Sequence, residues 1–404
     1  MIYQRLGRLL SLGFVSSCFC VGIGIGVFIR FNKLQPSDAA ITPTQVATDT
    51  KILPDFNNLP PFLPEHTFSE TITIQAVGDV IPGTNFPNYR LPSNKDSLIP
   101  RPVRAYLQRA DLLFGNFEST LTNHPYTSKD TSRGQVFAFR SPPNYAKLFS
   151  DVGFDVFNIA NNHALDFGNV GFRDTMTNLD NVGIQTVGHK NQILLLEKKN
   201  ITIGMIGFAP YSMYNSIHDL ETATALVREA KTKAEIVVVS MHAGAEGTSA
   251  LHVKNRTEYF YGENRGNSIQ FARTMIDAGA DLVLGHGPHV PRAMEIYNDK
   301  LIAYSLGNFL GYRTLSTRAQ AGYSMILEVK LNQWGNLVGG KIIPVRMTRT
   351  GIPYIDQSFR TVGLLRYLNR KAFPNKQFKI NKLGEIVINK SNPEIATHSN
   401  QVID

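Results

Sequence analysis

Six short polar clusters each follow an apolar, strand-like run, and together they carry Asp, Glu, Asn and His side chains. The clusters are Gly78-Asp79, Gly115–Glu118, Asn161–His163, Met241-His242, Gly285–His289 and Ser305–Asn308. These residue types bind divalent transition metals and transfer protons. Because ligands of open α/β sheets bind at the carboxyl ends of the strands, the clusters predict one shared site.

The histidines are concentrated in these clusters, which contain four of the ten: His163, His242, His286 and His289. Neutral imidazole and carboxylate groups are good ligands for Zn, Fe or Mn. Several such ligands at one sheet edge hold either one ion or two ions about 3.5–4 Å apart. The sequence therefore predicts a metal-dependent enzyme or a metal-bearing binding protein, with the identity and number of the ions left open.

Each cluster also has a purely structural interpretation. In that interpretation Asp79 caps a turn, Glu118 is a solvated surface carboxylate, and His163 is a buried, hydrogen-bonded core residue. For the Ser305–Asn308 cluster the structural alternative is a tight turn. All of these alternatives would have to hold at once at the ends of different strands, which favours the shared site.

The composition is that of a globular protein with a basic excess. Of the 404 residues, 43% are apolar and 18% are charged, so disorder is not expected for most of the chain. The formal net charge is +9, and four of these positive charges lie in the first 33 residues. No compact basic run with interleaved aromatic residues favours nucleic acid as a partner. We interpret Arg173, Arg265 and Arg292 as ordinary surface charges, with steering of a polyanion as the alternative.

The N-terminal stretch Leu9–Ile29 is an uncharged run of 21 residues, long enough to cross about 30 Å of hydrocarbon. It contains both cysteines, so no thiolate remains elsewhere for a disulfide or a metal site. Its length and basic flanks predict an uncleaved signal anchor over residues 1–33, and hence a single-pass membrane protein with an extracytoplasmic domain. Cleavage or lipidation at Cys18 is the alternative.

The remainder divides into three segments. Residues 34–70 contain six prolines and no sustained periodicity, which predicts an extended tether. Residues 71–350 are predicted to form one globular domain. Residues 351–404 are predicted to be a C-terminal extension that is partly disordered, since the chain is polar from about Ser391 onward.

Apolar, β-branched runs alternate with helical patterns in the globular domain, as in α/β proteins. The predicted strands include the run Leu112–Phe114. The others are Thr71–Val77, Val156–Ala160, Ile201–Phe208, Glu235–Ser240, Asp281–Leu284 and Leu301–Ser305. Predicted helices are Val103–Ala110, Asn144–Val152, Val170–Asn181, Glu221–Thr232 and Asn267–Ala278. After Gly322 we expect strands only, with Tyr323–Leu331 and Gly340–Met347 pairing antiparallel across a turn.

The polar clusters and their flanks resemble, in order over residues 71–312, six blocks of the bacterial capsule-synthesis CapA family. The blocks are Val77–Val80, Gly115–Glu118, Asn161–Asp166, Val239–Gly244, Gly285–Val290 and Tyr304–Phe309. That family is associated with poly-γ-glutamate capsule synthesis and is related to the calcineurin-like metallophosphoesterases. The resemblance implies an α/β fold, namely a metallophosphoesterase-like α/β/β/α sandwich, following the N-terminal membrane helix.

The resemblance also implies a role for each matching residue. The implied metal ligands are Asp79 and His289 for a first ion, Glu118 between two ions, and Asn162, His242 and His286 for a second ion. His163 is implied as the proton donor to the leaving group. Asn116 and Asn308 are weaker candidates for substrate binding.

Three residues depart from the pattern. Metallophosphoesterases usually place a His two residues after the first Asp, where this chain has Ile81. Their bridging group is an Asp, whereas this chain offers the longer Glu118. The CapA-like pattern often has a His where Gly287 stands. These departures predict that one metal site is weak or absent.

The implied function is metal-assisted hydrolysis or transfer in the synthesis, anchoring or trimming of an extracellular poly-γ-glutamate-like polymer. The expected cofactor is a divalent metal, one or two ions of Mn, Zn or Fe. The expected partners are an anionic polymer or phosphoester substrate and membrane synthase subunits. One alternative, favoured by Ile81 and Gly287, is a non-catalytic polymer-binding partner of a membrane synthase. Another is an envelope metallophosphoesterase unrelated to the capsule.

Overall fold

The computed structural model describes residues 70–388, apart from residues 133, 135 and 375–377. The predicted anchor, all but the last residue of the predicted tether, and the end of the chain from residue 389 lie outside the described residues. Within the described part of the chain, no helix is long and apolar enough to cross a membrane.

Helices and strands alternate along most of the described chain. The helices are α1 (Arg101–Leu107), α2 (Ala146–Val152), α3 (Gly168–Asp180), α4 (Leu220–Lys231), α5 (Ser268–Asp277) and α6 (Arg360–Ala372). The strands of the first half are β1 (Thr71–Ile81), β2 (Leu112–Phe117), β3 (Thr120–Leu121), β4 (Arg140–Ser141), β5 (Val156–Asn158), β6 (Gln185–Val187), β7 (Leu194–Lys198), β8 (Ile201–Ala209) and β9 (Asn215–Ser216). The strands of the second half are β10 (Ile236–His242), β11 (Tyr259–Phe260), β12 (Glu263–Asn264), β13 (Leu282–His286), β14 (Met294–Tyr297), β15 (Lys300–Ala303), β16 (Asn308–Gly311), β17 (Tyr323–Asn332), β18 (Leu337–Met347), β19 (Pro353–Ile355), β20 (Phe378–Ile380) and β21 (Ile386–Ile388).

Most of these strands belong to two large sheets. The first sheet has the order β19-β18-β17-β1-β2-β5-β6, and β16 pairs with the end of β1. In it β1, β2, β5, β6 and β16 are parallel, while β17, β18 and β19 complete the sheet with antiparallel pairs. The second sheet has the order β14-β15-β13-β10-β8-β7, with a parallel centre and antiparallel strands at both edges.

The two sheets pack face to face because successive side chains of a strand point to opposite faces and both faces are apolar. Ile74 of β1 and Val238 of β10 belong to the same core, which lies between the sheets. Val239 of β10 points the other way, into a core shared with α4 and α5. Leu113 of β2 likewise packs with α1 and α2. The layers are therefore helix, sheet, sheet and helix, and the predicted α/β class is confirmed.

The chain after Gly322 differs in part from expectation. The predicted antiparallel pair is confirmed as β17 and β18, but the expectation of strands only is wrong, because α6 follows. Val362 and Leu365 of α6 are buried in the core between the sheets, and Leu368 packs with the residues under α4 and α5. The described residues after 352 thus add β19 to the first sheet, and α6, β20 and β21 pack against the core between the sheets.

A buried carboxylate at the start of β13 connects three elements, and its removal is expected to destabilise the fold. Asp281 is 3% exposed and accepts hydrogen bonds from Lys231 Nζ at 2.7 Å, Lys300 Nζ at 2.8 Å and the Val237 amide at 2.9 Å. Asp281→Ala removes the acceptor of the buried Val237 amide and the carboxylate partner of both lysines, which keep only carbonyl or amide oxygens as acceptors. We therefore expect the free energy of unfolding in urea to fall by about 2 kcal/mol.

The matched control is Glu229→Ala, which removes from α4 an exposed carboxylate that pairs with Lys233. A solvated pair of this kind contributes little, so its loss should change the free energy of unfolding by less than about 0.5 kcal/mol. Equal effects for the two variants would contradict the structural role of Asp281.

Candidate metal centre

Strand β1 changes its pairing partner immediately before Asp79. Residues Thr71–Val77 pair with β17, whereas Asp79–Ile81 pair with β16. Gly78 lies at this change, where a Cβ atom would be 1.8 Å from the carbonyl oxygen of Gly307. Glycine therefore permits the close approach that lets the Asp79 amide donate to that same carbonyl at 3.0 Å. The result is a fully buried aspartate side chain at the end of a central strand.

A row of polar side chains crosses four neighbouring strands at this level. Asp79 is in register with Asn308 on one side and Asn116 on the other, and Asn116 is in register with Asn158. Asn116 Nδ2 donates to Asp79 Oδ1 at 2.8 Å, and Asn158 Nδ2 donates to Asn116 Oδ1 at 2.9 Å. These bonds hold the carboxylate of Asp79 in one orientation. Sequence reasoning missed Asn158, which ends β5 but lies inside the apolar run Val156–Ala160 of the sequence.

Three predicted ligands converge beside this row. One ligand atom each from Asp79, Glu118 and His289, called here the metal triad, lie within 4.8 Å of one another. His289 Nδ1 is 3.0 Å from Asp79 Oδ2 and 2.9 Å from Asn308 Oδ1, and its Nε2 is 3.7 Å from Glu118 Oε1. The backbone of His289 has a φ of 58°, in the left-handed region that few residues other than glycine adopt.

The environment of the metal triad fits a divalent cation. Glu118 is fully buried, and neither of its carboxylate oxygens has a hydrogen-bond partner. Burial raises the pKa of Glu118 well above its usual range. Burial also opposes the charge of His289, but Glu118, Asp79 and Glu246 outweigh it and raise the pKa of His289 to about 10. A cation bound here would replace protons, and two carboxylates with one imidazole suit Mn, Zn or Fe.

The residues implied for a second ion are arranged differently. His286 lies in register with His242 on the adjacent strand, and its Nδ1 is 3.6 Å from Asp79 Oδ1. Neither ring nitrogen of His286 has a hydrogen-bond partner, and the amide oxygen of Asn162 is also buried without one. His242 Nε2, in contrast, lies 3.1 Å from Arg265 Nη2. Burial and the charge of Arg265 lower the pKa of His242 well below its usual range, so its imidazole is neutral.

Two arginines that we interpreted as surface charges are buried, so that interpretation is wrong for Arg265 and Arg292. Arg265 is 1% exposed and donates to Glu246 Oε1 at 2.8 Å. Arg292 makes two hydrogen bonds to Glu258, at 3.0 and 2.8 Å, which tie down the loop after β10. Sequence reasoning missed Glu246 as a site residue, and it named Arg265 only as a possible polyanion-steering residue. The local sequence offers one weak signal for each residue, namely the glycine that follows it, Gly247 after Glu246 and Gly266 after Arg265.

A cleft of about 720 Å³ opens beside the metal triad. Glu246 connects the two, since it lines the cleft and its Oε2 is 3.7 Å from His289 Nε2. Arg265, Asn162 and His163 also line the cleft, and aromatic residues such as Tyr211 form much of the remaining wall.

His163 is oriented by a carboxylate behind it. Its Nδ1 lies 2.9 Å from Asp166 Oδ2, whose other oxygen pairs with Lys129 Nζ at 2.6 Å. An Nδ1–H donated to Asp166 leaves Nε2 for a substrate in the cleft. Burial lowers the pKa of His163, with Asp166 acting to raise it and Lys129 to lower it, so the imidazole is neutral near pH 7.

The two asparagines considered for substrate binding lie behind the metal triad rather than along the cleft. Asn116 and Asn308 are fully buried, and their side chains bond to Asp79 and His289. A positioning role accounts for both residues.

Asn116→Ala is expected to weaken metal binding without removing a ligand. The substitution deletes the hydrogen bond that orients the Asp79 carboxylate. Changes of this kind cost about 10–100-fold in metal affinity, and titration calorimetry with Mn²⁺ should show such a loss. As the control, Asn178→Ala removes a hydrogen bond to the Leu121 carbonyl and should leave the affinity unchanged. Equal affinities for Asn116→Ala and the unmodified protein would contradict the positioning role.

Comparison with known proteins agrees with the family resemblance. The family model described as bacterial capsule synthesis protein PGA_cap matches residues 73–313. The chain is 31% identical to the PGA biosynthesis protein CapA of Bacillus subtilis (strain 168) over 325 residues, covering 76% of this chain and 80% of that one. It is 27% identical to the capsule biosynthesis protein CapA of Bacillus anthracis over 270 residues, covering 61% of each chain.

Among solved structures, the 5'-nucleotidase precursor from Thermus thermophilus aligns with a TM-score of 0.40 and 13% identity. The alignment covers 76% of this chain and 59% of that chain. A likeness at this level supports no functional assignment.

Proposed function

Since the chain belongs to the bacterial capsule synthesis protein family PGA_cap, we propose that it acts in the synthesis, anchoring or trimming of a poly-γ-glutamate-like envelope polymer. The proposed activity is metal-dependent hydrolysis of a bond in that polymer or in its attachment. The observation that carries the proposal is the convergence of Asp79, Glu118 and His289 beside a cleft that also contains His163.

The cleft suits an anionic substrate. Lys129 and Arg265 line it, and both are held in place by carboxylates, Asp166 and Glu246 respectively. An arginine fixed in this way binds carboxylate or phosphate oxygens in a defined orientation. The positive charge therefore lies next to the metal triad, where the scissile bond would be held.

The proposed chemistry divides between the ion and the protein. A divalent ion held by Asp79, Glu118 and His289 would supply a water of lowered pKa and polarise the bond under attack. His163 is neutral and lines the cleft, and its Nδ1 is held by Asp166, so its Nε2 would be the atom that accepts a proton as water adds to the substrate. As the scissile bond breaks, His163 returns that proton to the leaving atom, while Asp166 holds Nδ1–H throughout.

The proposal also includes a membrane tether and a metallophosphoesterase-type origin of the site. The uncharged run Leu9–Ile29 supports a membrane tether that places the domain outside the cytoplasm. The order of the six polar blocks supports a metallophosphoesterase-type origin of the site.

The proposal is tested with the full-length protein, Mn²⁺ and three substrates: poly-γ-glutamate, a short γ-glutamyl peptide and bis(p-nitrophenyl) phosphate. We expect Mn²⁺-dependent release of product from at least one of them, and chelation should abolish it. Absence of turnover on all three, with measurable binding of poly-γ-glutamate, would contradict the hydrolase assignment.

Binding of poly-γ-glutamate without turnover would identify a non-catalytic polymer-binding protein. The contact between Arg265 and His242 favours this candidate, because it occupies a residue implied for a second ion. In that case the polymer should bind with the same affinity with and without Mn²⁺.

A further inference from the structure

The residues around His242 do not fit a second metal ion, and a buried guanidinium lies where that ion would be held. We infer that Arg265 takes the place of the second cation, so that the centre binds one metal ion next to a fixed positive charge. This inference rests on the metal triad of the proposed function and specifies the composition of the same site.

The hydrogen bond between Arg265 and His242 removes both possible ligand atoms of His242. A guanidinium only donates hydrogen bonds, so His242 Nε2, 3.1 Å from Arg265 Nη2, must act as the acceptor. The proton of the neutral imidazole is then on Nδ1, which has no lone pair left for a metal. Moving that proton to Nε2 would set two N–H groups against each other. His242 therefore cannot bind a metal through either nitrogen while this contact exists.

The surroundings of Arg265 are built to hold it in this position. Glu246 accepts its Nη1 at 2.8 Å, and Glu263 is 3.6 Å from the same atom. A Cβ atom at Gly287 would lie 3.1 Å from both Arg265 Nη2 and His242 Nε2, in a backbone with a φ of 106°. A larger residue at position 287 would therefore crowd the contact, which gives the departure from the family pattern a physical role.

The charges near the centre also match one ion. Asp79 and Glu118 face the ion, and Glu246 lies between His289 and Arg265. Glu263 is 54% exposed and solvated, so it is left out of the buried charge count. One divalent ion and one guanidinium balance the other three carboxylates, whereas a second divalent ion would leave an excess of positive charge in a buried site.

Arg265 can perform part of the work of a second ion. It lines the cleft, and its Nε has no hydrogen-bond partner. A fixed donor of this kind stabilises negative charge that develops on a substrate oxygen, without binding a nucleophile. The inference thus assigns charge stabilisation to Arg265 and leaves nucleophile binding to the single ion.

Metal stoichiometry tests the inference directly. The full-length protein is equilibrated with excess Mn²⁺, separated from free ion and analysed by mass spectrometry of the metal. We expect one Mn²⁺ per chain, with the electron paramagnetic resonance spectrum of an isolated ion. Two ions per chain with an exchange-coupled spectrum would overturn the inference. Absence of bound ion would overturn the proposed metal centre itself.

Variants assign the effect to the arginine. Arg265→Ala releases His242 and leaves Glu246 beside the space, so this variant should bind a second Mn²⁺ and show an exchange-coupled signal. The double variant Arg265→Ala/His242→Ala should bind one. As the matched control, Arg273→Ala removes an arginine that pairs with Glu295 and should still bind one ion.

One variant keeps the inference testable even if Arg265→Ala does not fold. His242→Ala alone should retain one Mn²⁺ at unchanged affinity, because His242 is not a ligand. Loss of that ion from His242→Ala would overturn the inference, and so would a single ion in folded Arg265→Ala.

Discussion

Asp79→Asn should leave the protein folded and unable to retain Mn²⁺. Asparagine has the shape of aspartate but lacks the negative charge, and Asp79 is the triad member that contacts His289, His286 and Asn116 together. We expect the loss of metal affinity to exceed the roughly 10–100-fold cost of an outer-sphere change such as Asn116→Ala. The measurement is calorimetric titration of each protein with Mn²⁺.

Turnover should fall with the metal. A catalytic ion contributes several kcal/mol to the barrier, and each 1.36 kcal/mol is a factor of ten, so a loss of about 10³-fold or more is expected. The stability of the metal-free variant is the control, because it shows whether Asp79→Asn still folds. Burial opposes the charge of Asp79, but His286 and His289 outweigh it and hold its pKa below the usual range. The amide loses this stabilisation, so the free energy of unfolding in chelator should fall by about 3 kcal/mol while the variant remains folded. Retention of Mn²⁺ by a folded Asp79→Asn variant would contradict the metal triad.

His163→Ala is expected to lose turnover but to keep its metal, whereas Asp79→Asn should lose both. His163 lines the cleft and bonds to Asp166, and it is not a member of the converging triad. A positioned proton-transfer group contributes about 10²–10⁴-fold, and the loss should appear in kcat rather than in KM.

His189→Ala is the matched control, since His189 is exposed and contacts Phe172 rather than the cleft. It should turn over substrate at the unmodified rate. A His163→Ala variant with full kcat would show that proton transfer does not depend on this side chain. A variant that loses Mn²⁺ would instead place His163 among the ligands.

The strand ends and their ligands could be predicted because local signals coincide there. Parallel strands buried on both faces appear as continuous apolar runs, so the polar residues that end them are visible in the sequence. Asp79, Glu118 and His289 follow such runs, and strand register then brings them together. The sequence could not give the distances, because these depend on which strands are neighbours.

Arg265 could not be predicted, because burial of an arginine depends on contacts distant in the chain. Its partners Glu246 and His242 lie 19 and 23 residues away, and the loop between them is closed by Arg292 and Glu258. Charged residues in a glycine-containing loop normally indicate solvent exposure. Only the folded loop shows that this arginine faces the site.

Helix α6 was missed because its start lacks the usual signal. The residue before it, Phe359, has a left-handed backbone and makes no capping hydrogen bond, whereas α4 and α5 begin after Asp219 and Asn267, whose side chains cap them. Nearly half of α6 is polar or basic, and only a narrow apolar face packs on the sheets. Tertiary packing rather than local propensity stabilises such a helix.

The most direct test is a crystal structure of the full-length protein with Mn²⁺, using anomalous scattering to locate the ion. The account predicts a single anomalous peak between Asp79, Glu118 and His289, within coordination distance of one atom of each side chain. An ion bound elsewhere, or a triad whose side chains remain paired with one another in saturating Mn²⁺, would contradict it.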